Sequence, residues 1–96
     1  MIFTAIPKMF RGLPSTSTLQ SGDSVNLTCE ASGDPLPLYR WYKSGQIIQD
    51  TRLLINRNQT LQLTNLSPQD DGEYRCEAYN VEGTDSSLTN LRVHSK

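Results

Sequence analysis

The chain has one histidine, one tryptophan, two cysteines and two phenylalanines in 96 residues, and neither sign of charge dominates. Each scarcity excludes something. His94 stands near the C-terminus, so no internal imidazole is available as a general base or proton shuttle. Zinc needs four ligands at characteristic spacings, which two cysteines and one distant histidine do not supply. Nine basic residues against ten acidic ones give a net charge of −1, without the basic excess that captures nucleic acid. There is no Gly-rich phosphate loop and no GxSxG serine motif, so the residues call for neither catalysis nor a cofactor. No stretch approaches the ~20 apolar residues of a membrane span. The early run "IFTAI" is too short for a secretory h-region and is followed by Pro7 and Lys8. Cellular location therefore has to be argued from other features.

What is present is a rhythm. Short apolar alternations recur, divided by turn residues about every eight to twelve positions, which is the pattern of an antiparallel β-domain. A chain of this length buries roughly 60 to 68% of its unfolded surface around one thin core. "SVNLTCEA" sets Val25, Leu27, Cys29 and Ala31 on one face, with Asn26, Thr28 and Glu30 on the other. "LYRWYK" turns Tyr39 and Trp41 one way and Leu38, Arg40 and Tyr42 the other. Before it, Pro35 and Pro37 forbid helix and keep the approach extended. "TLQLTNL" offers Leu61, Leu63 and Leu66, "EYRCEAY" offers Tyr74, Cys76 and Ala78, and "LTNLRV" offers Leu91 and Val93. No segment holds a 3.6-residue period for ten residues. Gly45 and Gly83 sit where tight turns need positive φ.

On this reading Cys29 and Cys76 both point inward, and Trp41 follows the first cysteine on a third strand. Two buried thiols in one core can bridge or can share a metal. The ligand count argues against the metal. A bridge would remove about 4 kcal/mol of unfolded-state entropy.

The order Cys29, Trp41, "TLQL", "DDGEYRC" resembles the immunoglobulin fold. The resemblance runs from about Lys8 to Val93. Its finer pattern, in "GDPLPLYRWYKSG", in Asp70, Gly72, Tyr74 and Cys76, and in "NVEG", is similar to the intermediate (I-set) class. It implies an immunoglobulin-like, antiparallel, Greek-key β-sandwich of one domain over residues 8–93. Residues 1–7 would be an N-terminal extension, in part an expression addition, and 94–96 a tail. It further implies a Cys29–Cys76 disulfide packed on Trp41. Tyr74 would make a tyrosine corner whose hydroxyl reaches a backbone group near Asp70, with Gly72 allowing the tight turn. Asp70 resembles the family's acidic partner for a basic residue, and Arg52 is the matching candidate for an ion pair clamping one end of the sandwich.

Because the fold does not specify the function, functional signals must come from surfaces. If the strands pair as the resemblance implies, Leu38, Arg40, Tyr42, Arg75, Glu77, Tyr79 and Leu88 share one outward face, rich in the residue types of interface hot spots. The same tyrosines would also serve as plain sheet cover. The loops "GDPLP" and "NVEG" are the second surface to consider. Interleaved arginine and tyrosine also suit single-stranded nucleic acid, but the near-neutral charge argues against it. A heparin-like glycan is a further candidate, although Lys8, Arg11, Arg40, Lys43, Arg52, Arg57, Arg75 and Arg92 are scattered along the chain. Three of the six asparagines, Asn26, Asn58 and Asn65, begin glycosylation sequons, which tilts the reading toward an extracellular origin. The expectation is a cell-surface adhesion or receptor module that binds a protein partner or its own copy, beside neighbouring domains of a parent chain. The alternative is an intracellular sarcomeric or cytoskeletal I-set module with reduced cysteines, acting as a spacer and protein-binding link.

Overall fold

The computed structural model describes residues 4–95, and Met1 to Phe3 and Lys96 lie outside the described residues. The alternating segments form ten strands in two packed layers. They are β1 (Ala5–Arg11), β2 (Thr16–Gln20), β3 (Val25–Thr28), β4 (Glu30–Asp34), β5 (Leu38–Lys43), β6 (Gln46–Ile47), β7 (Leu54–Ile55), β8 (Thr60–Leu63), β9 (Gly72–Asn80) and β10 (Gly83–His94). The only helical pieces among the described residues are two three-residue 3-10 turns, Thr51–Leu53 and Pro68–Asp70.

One layer is the five-stranded sheet β2-β10-β9-β5-β6. The other is the three-stranded sheet β3-β8-β7, which continues through Cys29 into the β4-β1 pair. The chain crosses between layers from β1 to β2, from β2 to β3, from β4 to β5, from β6 to β7 and from β8 to β9. The inward residues of the alternation meet between the layers. Leu27, Cys29, Ala31, Tyr39, Trp41, Leu61, Leu63, Leu66, Tyr74, Cys76, Ala78, Leu91 and Val93 make one continuous core. Burial of this kind supplies most of the drive to fold. Cys29 and Cys76 are joined by a disulfide between the layers, and Trp41 lies directly opposite Cys76 in the β5–β9 register.

The N-terminal part differs from expectation in two ways. The boundary expected at Lys8 falls inside β1, which begins at Ala5 and buries Pro7. The sandwich is also not wholly antiparallel, because β2 runs parallel to β10 from Asn90↔Thr16 to His94↔Gln20. The early start comes from the pairing of Ala5 with Asp34 of β4, and the parallel strand from a switch of sheet at Gly12 to Pro14. Before it, β1 pairs with β4; after it, the chain lies along the free edge of β10. Side chains of β10 tie the path down, as the Met9 amide donates to Asp85 at 2.7 Å and the Leu13 amide to Ser87 at 2.8 Å. Ser17 and the buried Thr89 share a hydroxyl hydrogen bond at 3.0 Å. Sequence alternation in this stretch is weak, so these strands were not legible from periodicity.

Candidate recognition face

Two devices fix the geometry of the five-stranded sheet. The β5–β6 hairpin turns through Ser44 and Gly45, both at positive φ (50° and 82°), a conformation glycine adopts without strain and one that holds a two-residue hairpin in register. At the corner entering β9, Gly72 has φ +148°, and a β-carbon there would meet the Ser44 hydroxyl at 3.0 Å. Tyr74 then fills the edge of the core, and its hydroxyl donates to the Asp70 carbonyl at 2.7 Å. Burial pushes its phenol up to about 12, with the Asp70 and Asp71 charges adding to the effect.

With this frame set, the outward residues of β5, β6, β9 and β10 fall into rows. Leu88, Arg75, Tyr42 and Ile47 are aligned across four strands, Ser86, Glu77 and Arg40 across three, and Thr84, Tyr79 and Leu38 in a third row. The seven residues singled out from the sequence therefore do share one face. Ile47, half-exposed at its edge, completes the first row and was missed because its strand is only two residues long.

The rows are interlocked. Arg40 donates to Glu77 through Nε at 2.9 Å and lies 2.6 Å from it through Nη2. The same guanidinium stacks 3.9 Å from the centre of the Tyr79 ring. Arg75 stacks 4.3 Å from the centre of Tyr42 and reaches Glu77 at 3.9 Å. Desolvation lowers the Arg40 pKa, but the Glu77 hydrogen bond and charge outweigh it, so the net shift is upward. Each contact is worth on the order of 1 kcal/mol or less at a surface. Their joint effect is to hold two long side chains in one arrangement.

At one end the face runs into an apolar cleft of about 320 Å³ lined by Pro35, Leu36, Leu38, Tyr79, Asn80 and Val81. The structure thus brings the "GDPLP" and "NVEG" loops together. The Asn80 amide clamps them, donating to Pro35 at 3.0 Å and to Ala5 at 2.8 Å. Leu36, Leu38 and Val81 are 59, 56 and 84% exposed, so the apolar surface is open to solvent.

Two expectations do not fit this arrangement. The Arg52–Asp70 ion pair is absent among the described residues. Arg52 instead forms a fork with Asp50, two residues before it, with both hydrogen bonds at 2.9 Å. The cause is local: Asp50 also caps the turn containing Arg52, accepting from its amide at 3.1 Å, and a partner so close in sequence costs less to order. The hydrogen bonds from the Arg52 guanidinium, and after them the one from its amide, hold the Asp50 carboxyl below its ordinary range. Asp70 is occupied with the Ser67 amide at 2.8 Å in a capping box. Of the scattered basic residues, Arg11, Arg40, Arg52 and Arg75 each face a carboxylate.

A family model described as "Immunoglobulin domain" matches residues 7–80. The chain belongs to the immunoglobulin family. Other immunoglobulin-domain proteins resemble it over most of its length. It is 32% identical to human peroxidasin homolog over 97 residues, covering all of this chain and 6% of that protein. Rat cell adhesion molecule 2 is 39% identical over 83 residues, covering 85% of this chain and 19% of that one. Among solved structures, the I-band fragment I67-I69 from titin matches with a TM-score of 0.86 at 28% identity, covering 96% of this chain and 34% of that one. Sidekick-1 immunoglobulin domains 1-4 match at 0.85 and 28%, covering 94 and 24%. The immunoglobulin domain thus spans a small fraction of the curated relatives, which include adhesion and receptor proteins as well as an enzyme.

Proposed function

We propose that this immunoglobulin domain is a non-catalytic recognition module of the intermediate class, one ectodomain unit of a multidomain cell-surface adhesion or receptor protein. It meets a protein partner, or its own copy, through the outward face of β5, β9 and β10. One observation carries the reading: the ordered Arg40, Tyr42, Arg75, Glu77, Tyr79 lattice is continuous with an exposed apolar cleft, sharing Tyr79 with it and meeting Leu38 opposite Tyr79. An apolar centre beside a polar, aromatic rim is the usual anatomy of a protein interface. Side chains already held in place lose less entropy on association. The cell-surface part is supported by the three sequons at Asn26, Asn58 and Asn65 and by the likeness to cell adhesion molecule 2.

The likeness to titin favours the second reading, an intracellular spacer and protein-binding link. The sequons at Asn26, Asn58 and Asn65, which matter only in the first reading, weigh against it. The test of the face is Tyr42→Ala with Tyr79→Ala. The domain is expected to stay folded while binding or self-association weakens more than tenfold, ~1.4 kcal/mol. Normal binding by that double variant would mean the tyrosines only cover the sheet.

A further inference from the structure

Asn26, Asn58 and Asn65 are exposed, and none of their carboxamides takes part in a hydrogen bond among the described residues. Asn80, by contrast, uses its carboxamide in three hydrogen bonds and begins no sequon. Each of the three is followed two positions later by a hydroxyl, Thr28, Thr60 or Ser67. Their placement is not random. Asn26 stands opposite Gln62 of β8, Asn58 lies two residues before β8, and Asn65 two residues after it. All three gather around the middle strand of the three-stranded sheet, while no sequon falls on β5, β6, β9 or β10.

We propose that Asn26, Asn58 and Asn65 are N-glycosylated, and that the sugars cover the three-stranded layer and leave the five-stranded face bare, so that the domain presents one face only. The proposal rests on the extracellular reading above. In the reaction the asparagine Nδ2 attacks the anomeric carbon of a lipid-pyrophosphate-linked oligosaccharide. A C–N bond replaces the C–O bond, the amide gives up a proton and the lipid pyrophosphate departs, with nothing oxidised or reduced. The fold also sets the order of events. Thr60 is buried and its hydroxyl is bonded to that of Thr28 at 2.9 Å, so one interstrand contact closes the hydroxyls of two sequons at once. Leu66, in the middle of the third, is buried too. The sugars are therefore added before the sheet closes.

The experiment is to secrete the full chain from eukaryotic cells behind a supplied leader, then treat it with peptide N-glycosidase and map the sites by mass spectrometry. The expected result is a mobility shift that collapses on treatment, with aspartate left at two or three of the positions. Asn26→Gln, Asn58→Asp and Asn65→Asp should each remove one step; aspartate is chosen at 58 and 65 because both have positive φ. Sugar at one position or none overturns the proposal, and sugar readily added to pre-folded, oxidised domain overturns the order of events. Because the leader is supplied, a native gene product that stays in the cytosol would sink the extracellular reading without altering this result.

Discussion

The Tyr74 hydroxyl donates to the carbonyl of Asp70, four residues earlier, across the corner where the chain leaves the Pro68–Asp70 turn for β9. The ring is 2% exposed, so the bond closes one end of the core as well as satisfying a carbonyl. Tyr74→Phe keeps the ring and leaves the acceptor unpaired, at an expected cost of about 1 to 3 kcal/mol in denaturant unfolding. A change below ~0.3 kcal/mol would show that the hydroxyl has no structural role.

The same burial predicts an alkaline weakness. The Tyr74 phenol is pushed up to about 12 in the folded domain, against an unfolded value of about 10. A group raised on folding contributes stability that is fully present below its unfolded pKa and lost as pH climbs through its folded one. Unfolding free energy should therefore fall between about pH 10 and 12, by at most roughly 2 to 3 kcal/mol from this residue. Tyr74→Phe should lack that component. Identical alkaline profiles for the two proteins would refute the assignment.

Oxidative folding should give one Cys29–Cys76 bond and no alkylatable thiol by mass spectrometry. Closing a loop of 47 residues predicts that reduction costs about 4 kcal/mol in the chain-entropy account. The reduced domain should still give a β-type circular dichroism spectrum, since the thirteen buried residues of the core are unchanged in number. A helical or disordered spectrum on reduction would mean that the bond, and not the apolar core, specifies the fold.

Where the sequence was readable, it was because a period of two repeats with one buried face. Leu27, Cys29 and Ala31, or Tyr74, Cys76 and Ala78, could be assigned inward without knowing their neighbours. The outward face followed from the same alternation only once the strand pairing was taken from the family resemblance. The β1 and β2 strands were not readable, because their pairing is set by distant side chains such as Asp85 and Ser87. The Arg52 partner was misjudged for a related reason. A family pattern names the residue types but does not weigh Asp50, which is two positions away and already caps the turn.

That correction makes a separable prediction. Arg52→Ala and Asp70→Ala should act additively, because they share no partner. Asp70→Ala alone should cost about 0.5 to 2 kcal/mol through loss of its hydrogen bond to Ser67 at the helical turn. Arg52→Ala removes an exposed pair and should be close to neutral. A coupling energy above ~0.5 kcal/mol in the double-mutant cycle would restore the clamp.

The last prediction separates an ordered binding face from a merely aromatic one. Glu77 is the hinge of the lattice, touching Arg40 and Arg75, yet its side chain is only 16% exposed and offers little surface to a partner. Glu77→Gln keeps the shape and removes the charge that holds both guanidiniums. The expected loss of stability is about 1 kcal/mol, because the new amide oxygen can still accept from Arg40 and both guanidiniums are partly exposed. If the face binds as a pre-ordered surface, affinity should fall more than stability does, because each freed arginine must be ordered on association at about 0.5 to 1.5 kcal/mol. Titration calorimetry should show the loss chiefly as a less favourable entropy, with the effect diminished in a background that already carries Arg40→Ala. Should Glu77→Gln bind as tightly as the parent while Tyr42→Ala with Tyr79→Ala does not, the rings act by contact area alone and the order of the lattice is incidental to recognition.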